Sequence, residues 1–131
     1  MKIEDIININ KDPIEEKIIK AIEDTKDELS GLTTETTCFI YSSVVADNLR
    51  KAHIANQIES TTEYDYPYVH QFVRVPKNDN QFYLIDLTYP QFHSDRFEEL
   101  EEKGYVLLRE DDLYEYLEVV GNVETIRRKK C

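Results

Sequence analysis

The sequence predicts a single α+β domain in which helices pack on a small antiparallel sheet. Three observations predict it. A stretch opened by Asp12 and Pro13 and closed by Gly31 carries Ile14, Ile18, Ile22 and Leu29 on one helical stripe. A central region then changes to short runs rich in aromatic and branched residues. Beyond Pro90, two short acidic segments return to helical punctuation. The chain has 131 residues, which leaves room for one core, since domains run about 50 to 250 residues.

The first element is an amphipathic helix over 13 to 30. Proline suits the first helical position, Glu15 and Glu16 suit the positive end of the dipole, and glycine is the usual stop. After the linker LTTETT, the run CFIYSSVVADNLRKAH places Tyr41, Val44, Val45, Ala46 and Leu49 at mainly helical spacing. Thr36 or Thr37 is its expected N-cap, which puts Cys38 in the first turn, where open amides and the macrodipole favour a thiolate.

Three strands follow: HIANQIES, YPYVHQFVRV and QFYLIDLTY. If Val75 pairs with Gln81, paired numbers sum to about 156. The turn then falls at Lys77-Asn78-Asp79, and His70 lies opposite Asp86 with side chains about 5 Å apart. Pro90 ends the third strand. Ser94 or Asp95 opens the helix DRFEELEEKG, stopped by Gly104, and YVLLR reads as a fourth strand. Asp111 and Asp112 cap a last helix through Leu113, Leu117 and Val120, stopped by Gly121.

Apolar residues make up 40% and charged residues 33%, a balance that folds rather than staying disordered. Twenty-seven acids against sixteen bases give a net charge of -11, which repels phosphate backbones and anionic lipid, so nucleic acid is a poor partner. Apolar runs such as Tyr105 to Leu108 fall far short of the roughly 18 residues of a membrane span. The N-terminus MKIEDIININKD shows no basic leader followed by an apolar stretch, so the expectation is a cytoplasmic protein or one delivered to another cell. The Arg127-Arg128-Lys129-Lys130 tail reads as a solvated basic end. From Ser94 to Val119 ten acids face three bases: the solvated side of two surface helices, or a docking face for a basic protein or peptide.

Two cysteines, Cys38 and Cys131, are too few for a disulfide framework or a cysteine metal site, and no metal or cofactor is expected. Cys38 is therefore a buried small hydrophobe or a reactive thiol. A thiol nucleophile needs a base, and the base needs a third group to fix its tautomer. Cys38, His70 and Asp86 supply those types in that chain order. A carboxylate inside FYLIDLTY is costly to bury unless something satisfies it, and an imidazole across the sheet can do so. Each also has an ordinary reading: a core cysteine, a satisfied strand histidine, a turn or cap aspartate. His53 reads as a turn or surface residue and His93 as a helix entry. The tyrosines from Tyr64 to Tyr68 either pack a strand edge or line a cleft beside His70.

Cys38 with its helix, Leu49-Arg50-Lys51-Ala52-His53-Ile54-Ala55, His70-Gln71-Phe72-Val73-Arg74-Val75 and Tyr83-Leu84-Ile85-Asp86-Leu87-Thr88-Tyr89 together resemble the core of the transglutaminase-like and papain-like cysteine enzymes. The resemblance covers residues 36 to 92, ahead of an acidic helical part over 94 to 121 and the basic tail over 126 to 131. It implies a cysteine-bearing helix packed on a sheet bearing His and Asp, and a thiol hydrolase or acyltransferase that works on peptide or glutamine amides through a thioester. Carried over, Cys38 is the nucleophile, His70 the base and Asp86 the orienting acid. The chain departs from the pattern at Phe72, where Trp is common, and at Leu87, where Pro is common. No glutamine precedes Cys38 to form an oxyanion hole. That role then falls to amides near Cys38 or to a downstream donor such as Gln91, with Thr37 and Tyr89 as further support. The small size is similar to bacterial effector or toxin domains and to peptide-processing members of the group. The alternative is a catalytically silent module of the same fold that holds a basic partner through its acidic helices.

Overall fold

A computed structural model describes residues 12–32 and 38–122. Among the described residues, four helices pack around a four-stranded antiparallel sheet: α1 (Pro13–Glu28), α2 (Cys38–Lys51), β1 (Gln57–Ser60), β2 (Gln71–Pro76), β3 (Gln81–Ile85), α3 (Glu98–Lys103), β4 (Tyr105–Arg109) and α4 (Leu113–Asn122). The strands lie in the order β1-β2-β3-β4. The α+β class is as the sequence predicts.

The two faces of the sheet carry two separate apolar clusters, set by the period of two along each strand. Val73, Val75, Tyr83 and Ile85 pack under α1 and α2 with Ile18, Ile22, Tyr41, Val45 and Leu49. Phe72, Phe82 and Leu84 pack on the other side with Leu100, Leu113, Tyr116, Leu117 and Val120. The sheet is therefore covered on both faces, with α1 and α2 on one and α4 on the other.

Asp12 caps α1 by accepting from the Ile14 amide at 2.9 Å, and Pro13 opens the helix, as the sequence predicts. The other Asp12 oxygen accepts from the Tyr83 hydroxyl at 2.6 Å, which ties the helix start to the sheet. The buried Asn48 side chain donates to Thr25 Oγ1 at 3.0 Å, and Thr25 donates to the Ala21 carbonyl at 2.7 Å, so α1 and α2 meet through a satisfied polar bridge. Thr36, Thr37 and the basic tail fall outside the described residues.

Several boundaries differ from the sequence reading. β2 and β3 pair with numbers summing to 158 rather than 156: Val73 faces Ile85 and Arg74 faces Leu84. The loop is accordingly Asn78-Asp79-Asn80, closed by the Lys77 amide on the Gln81 carbonyl and by the Asn80 amide on Asn78 Oδ1. A turn-bound asparagine side chain at its start sets that loop one residue later. β1 begins only at Gln57, because His53 closes α2 in the left-handed region (φ 59°) and its amide returns to the Arg50 carbonyl. Tyr64 ends a 3₁₀ turn (Thr61–Tyr64) stapled by a Ser60–Glu63 capping box and donates its hydroxyl to Glu59 of the outer strand β1, so it packs a strand edge, whereas Tyr66 and Tyr68 follow the turn and belong to no strand.

The acidic helix starts at Glu98, not at Ser94 or Asp95. Ser94 instead accepts from the Arg96 amide in a local turn, and Phe97 enters α3 with φ 56°. His93 does not open that helix but closes a 3₁₀ turn over Tyr89–Phe92. Gly121 does not stop α4. It lies within the helix, where a Cβ would come 2.7 Å from Tyr66 Cβ.

Candidate functional site

His70 stands one residue before β2 and Asp86 one residue after β3, at the same end of the sheet. In the observed register they are diagonal rather than directly opposite, yet His70 Nε2 meets Asp86 Oδ2 at 2.7 Å. The side chains are buried, at 0% and 2% exposure. Both belong to the sheet face that carries Phe72, Phe82 and Leu84, toward α4.

Asp86 is held from four directions. Tyr116 of α4 donates its hydroxyl to Oδ2 at 2.7 Å. The Thr88 amide and hydroxyl donate to Oδ1 at 3.1 and 3.0 Å. The Asp86 amide itself bonds to the Gly104 carbonyl at 3.0 Å, which anchors the residue to β4's leading edge. Burial pushes the carboxyl pKa up, but the neighbouring His70, Tyr116 and Thr88 more than offset it, and the net position is below the ordinary value. Tyr116 is driven well above its ordinary pKa by burial and by the charge of Asp86, so it remains a donor.

His70 is held by its backbone as well. Its amide donates to Thr61 Oγ1 at 2.9 Å and its carbonyl accepts from the Thr61 amide at 2.9 Å. The ring meets Phe92 edge to face at 4.9 Å between centroids. With Nε2 engaged by the carboxylate, Nδ1 is a fully buried nitrogen with no hydrogen-bond partner among the described residues. In a neutral ring whose Nε2–H donates to Asp86, Nδ1 is the atom that accepts a proton.

Cys38 opens α2 and is buried, at 1% exposure. Its sulfur is disulfide-bonded, a state that the sequence reading, which offered a buried hydrophobe or a reactive thiol, did not include. An oxidised sulfur is no nucleophile, so reduction must precede any thiolate chemistry. The side chains of α2 pack on the Val73, Val75 face, opposite the face of His70 and Asp86.

Of the supporting residues, Tyr89 is a core tyrosine: it is fully buried, stacks on Tyr116 at 6.1 Å and donates its hydroxyl to the Arg96 carbonyl at 2.9 Å. Gln91 is buried in the 3₁₀ turn beside Phe92. Thr37 lies outside the described residues. His53 and His93 are turn residues, each with a positive φ.

Tyr116 and Thr88 were not singled out from sequence. Tyr116 had a signal: a phenol between Leu113, Leu117 and Val120 on a helix's buried stripe needs a polar partner. No group of three or more potential metal ligands occurs among the described residues. No protein-family model, no curated protein and no solved structure matches the chain.

Proposed function

We propose that the protein is a cysteine-dependent acyl-transfer enzyme acting on peptide or glutamine amides, of the transglutaminase-like and papain-like kind its motifs resemble. One observation carries this reading: a buried imidazole fixed through Nε2 by a carboxylate, with Nδ1 buried and without a partner among the described residues. A buried polar atom without a partner among the described residues calls for an explanation, and a base awaiting its proton donor is one.

The chain path supports Cys38 as that donor. The C-terminal end of α2 is tied to the loop entering β1, since the Ile54 amide donates to the Leu49 carbonyl and Asn56 Nδ2 to the Ala46 carbonyl. β1 then starts opposite Arg74, far along β2 from His70. The helix thus runs back from the Arg74 end, so its first turn points toward the end of the sheet where His70 stands, while its side chains pack on the other face. The sulfur would meet the ring around the end of the sheet, where His70 already stands outside the strand.

In the reduced enzyme the Cys38 thiol gives its proton to His70 Nδ1, and the thiolate attacks the amide carbonyl. First-turn amides of α2 stabilise the oxyanion. The C–N bond breaks as the imidazolium returns the proton to the departing amine or ammonia. Water or an amine then attacks the thioester carbonyl as His70 takes its proton, and the C–S bond breaks to release the acid or the new amide and return the Cys38 sulfur, which regains the thiol–imidazole pair. Asp86 stays ionised and holds the ring, as its lowered pKa allows.

The test is labelling of the reduced protein by a peptidyl electrophile, read by intact mass. Labelling should vanish in Cys38→Ala, persist in Cys131→Ala and fall steeply in His70→Ala. Undiminished labelling of Cys38→Ala removes the enzyme reading.

A second reading is favoured by the disulfide on Cys38 and the complete burial of the ring: a scaffold without turnover that holds a basic protein or peptide. Alkylation of the reduced protein against pH separates the two. An activated Cys38 titrates clearly below about 8.5, whereas a structural thiol reacts slowly throughout.

A further inference from the structure

The ladder between β3 and β4 fixes which backbone groups of β4 point outward. The Asp86 amide donates to the Gly104 carbonyl and the Glu110 amide to the Asn80 carbonyl, with Val106 paired to Leu84 and Leu108 to Phe82 between them. Even-numbered residues therefore bond inward to β3, and Tyr105, Leu107 and Arg109 turn their amides and carbonyls away from the sheet. Among the described residues β4 is the last strand in the order, so those groups form an edge. The Arg109 amide is taken by Asp112 Oδ2 at 3.3 Å, while the amide and carbonyl of Leu107 have no partner among the described residues.

Open edges are usually blunted by charge, proline or a bulge. β1, the opposite edge, carries Glu59 and Ser60. β4 carries none of these devices from Tyr105 through Leu108, a continuous Tyr-Val-Leu-Leu run with Leu107 half-buried. Beside it, between α1, α3 and the start of β4, lies a groove of about 440 Å³ with Ile19, Ile22 and Tyr105 as its apolar lining and Glu23, Lys26, Glu102 and Lys103 around it.

We propose that the β4 edge takes an extended, basic peptide segment as an added strand, with one apolar side chain seated in the groove at the Tyr105 end. Charge selects this occupant. The edge is bracketed by Glu98, Glu99, Glu101 and Glu102 of α3 at one end and by Asp111 and Asp112 at the other, with Lys103 and Arg109 as the bases between. A second copy pairing antiparallel through Leu107 would lay the acids of α3 against the partner's acids after β4, which opposes self-pairing. A basic strand meets acid at both ends. Main-chain bonds to Leu107 supply affinity, and the groove supplies side-chain selection. The proposal does not depend on turnover at Cys38, and Cys38→Ala should bind equally well.

The probe is a fluorescein-labelled heptapeptide alternating Lys with Val or Leu, titrated by anisotropy against the full chain at physiological salt. Leu107→Pro removes the outward amide without touching the bonds to β3, because that amide lies outside the ladder. Saturable one-to-one binding should weaken about tenfold in Leu107→Pro, the worth of one or two hydrogen bonds. N-methylation of alternate peptide amides should weaken it similarly in one frame and not the other. If Leu107→Pro does not fold, exchange of the Leu107 amide in the unaltered protein decides, since added peptide should slow it. Equal affinity for Leu107→Pro and both methylated frames, unchanged Leu107 exchange, self-association in place of peptide binding, or no binding would each overturn the proposal.

Discussion

Asp86 is a charged group inside the protein whose neighbours decide whether it stabilises or destabilises the fold. Two donors reach each oxygen, His70 and Tyr116 on Oδ2 and the Thr88 amide and hydroxyl on Oδ1, so the carboxylate's acceptor sites are met. Its folded pKa is depressed, so its contribution to stability is present above the unfolded value of about 3.9 and is lost as pH falls through the folded value. Denaturant midpoints measured from pH 6 to pH 2 should therefore decline in the native protein. In Asp86→Asn they should start lower and decline less, and an identical acid limb in both would assign the decline to other carboxyls. Tyr116→Phe keeps the ring packed on Phe72 and Tyr89 but leaves Oδ2 one donor short. It should cost about 1 to 3 kcal/mol at neutral pH. A stability within about 0.5 kcal/mol of the native value, the size of an ordinary surface change, would mean that the phenol is not a needed donor.

Elements whose ends are punctuated by backbone chemistry were legible: Asp12 and Pro13 start α1, and the alternation of Phe72, Val73, Phe82 and Tyr83 gives both faces of the hairpin. The register was off by two residues, and the His70–Asp86 contact still formed. A shift of two keeps every side chain on its face and turns an opposite pair into a diagonal one, whereas a shift of one would have separated them. What the sequence could not show was contact made by close approach. Gly121 read as a helix stop because glycine commonly is one, but here it lets the Tyr66 side chain press against α4. The Tyr66 backbone is pinned by its amide on the Thr61 carbonyl and by the Tyr68 amide on the Gly121 carbonyl, so its Cβ has little room to retreat. Alanine would gain about 1 kcal/mol of helix propensity at position 121. The 2.7 Å approach to Tyr66 Cβ should outweigh that gain and leave Gly121→Ala less stable by about 1 to 2 kcal/mol in urea unfolding. A more stable Gly121→Ala would show that the segment before β2 yields to the helix.

At the scale of the molecule the excess of acid governs the electrostatics. A charge of -11 on 131 residues works against the compact state through self-repulsion, and the described ion pairs do little to counter it. Lys20–Asp24, Lys51–Asp47 and Lys103–Glu99 are exposed pairs one helical turn apart, and solvent screens them so that they add little. Arg74 is the better-placed base: half-buried over the Phe82 ring and bonded to Glu110, with Glu59 at 3.6 Å. Screening shortens the reach of repulsion from about 30 Å at 0.01 M salt to about 10 Å at 0.1 M, while a partly buried pair such as Arg74–Glu59 is screened less. Raising sodium chloride from about 0.01 M to about 0.2 M at pH 7 should thus raise Tm by several degrees, since about 1 kcal/mol moves a domain of this size by roughly 3 to 6 °C. The same salt step near the isoelectric point of about 4.7 should move Tm much less, because the net charge that salt screens is then absent. A fall in Tm with salt at pH 7 would assign net stability to the ion pairs, and would shift the role of the acidic surface from tolerated repulsion to a structural network.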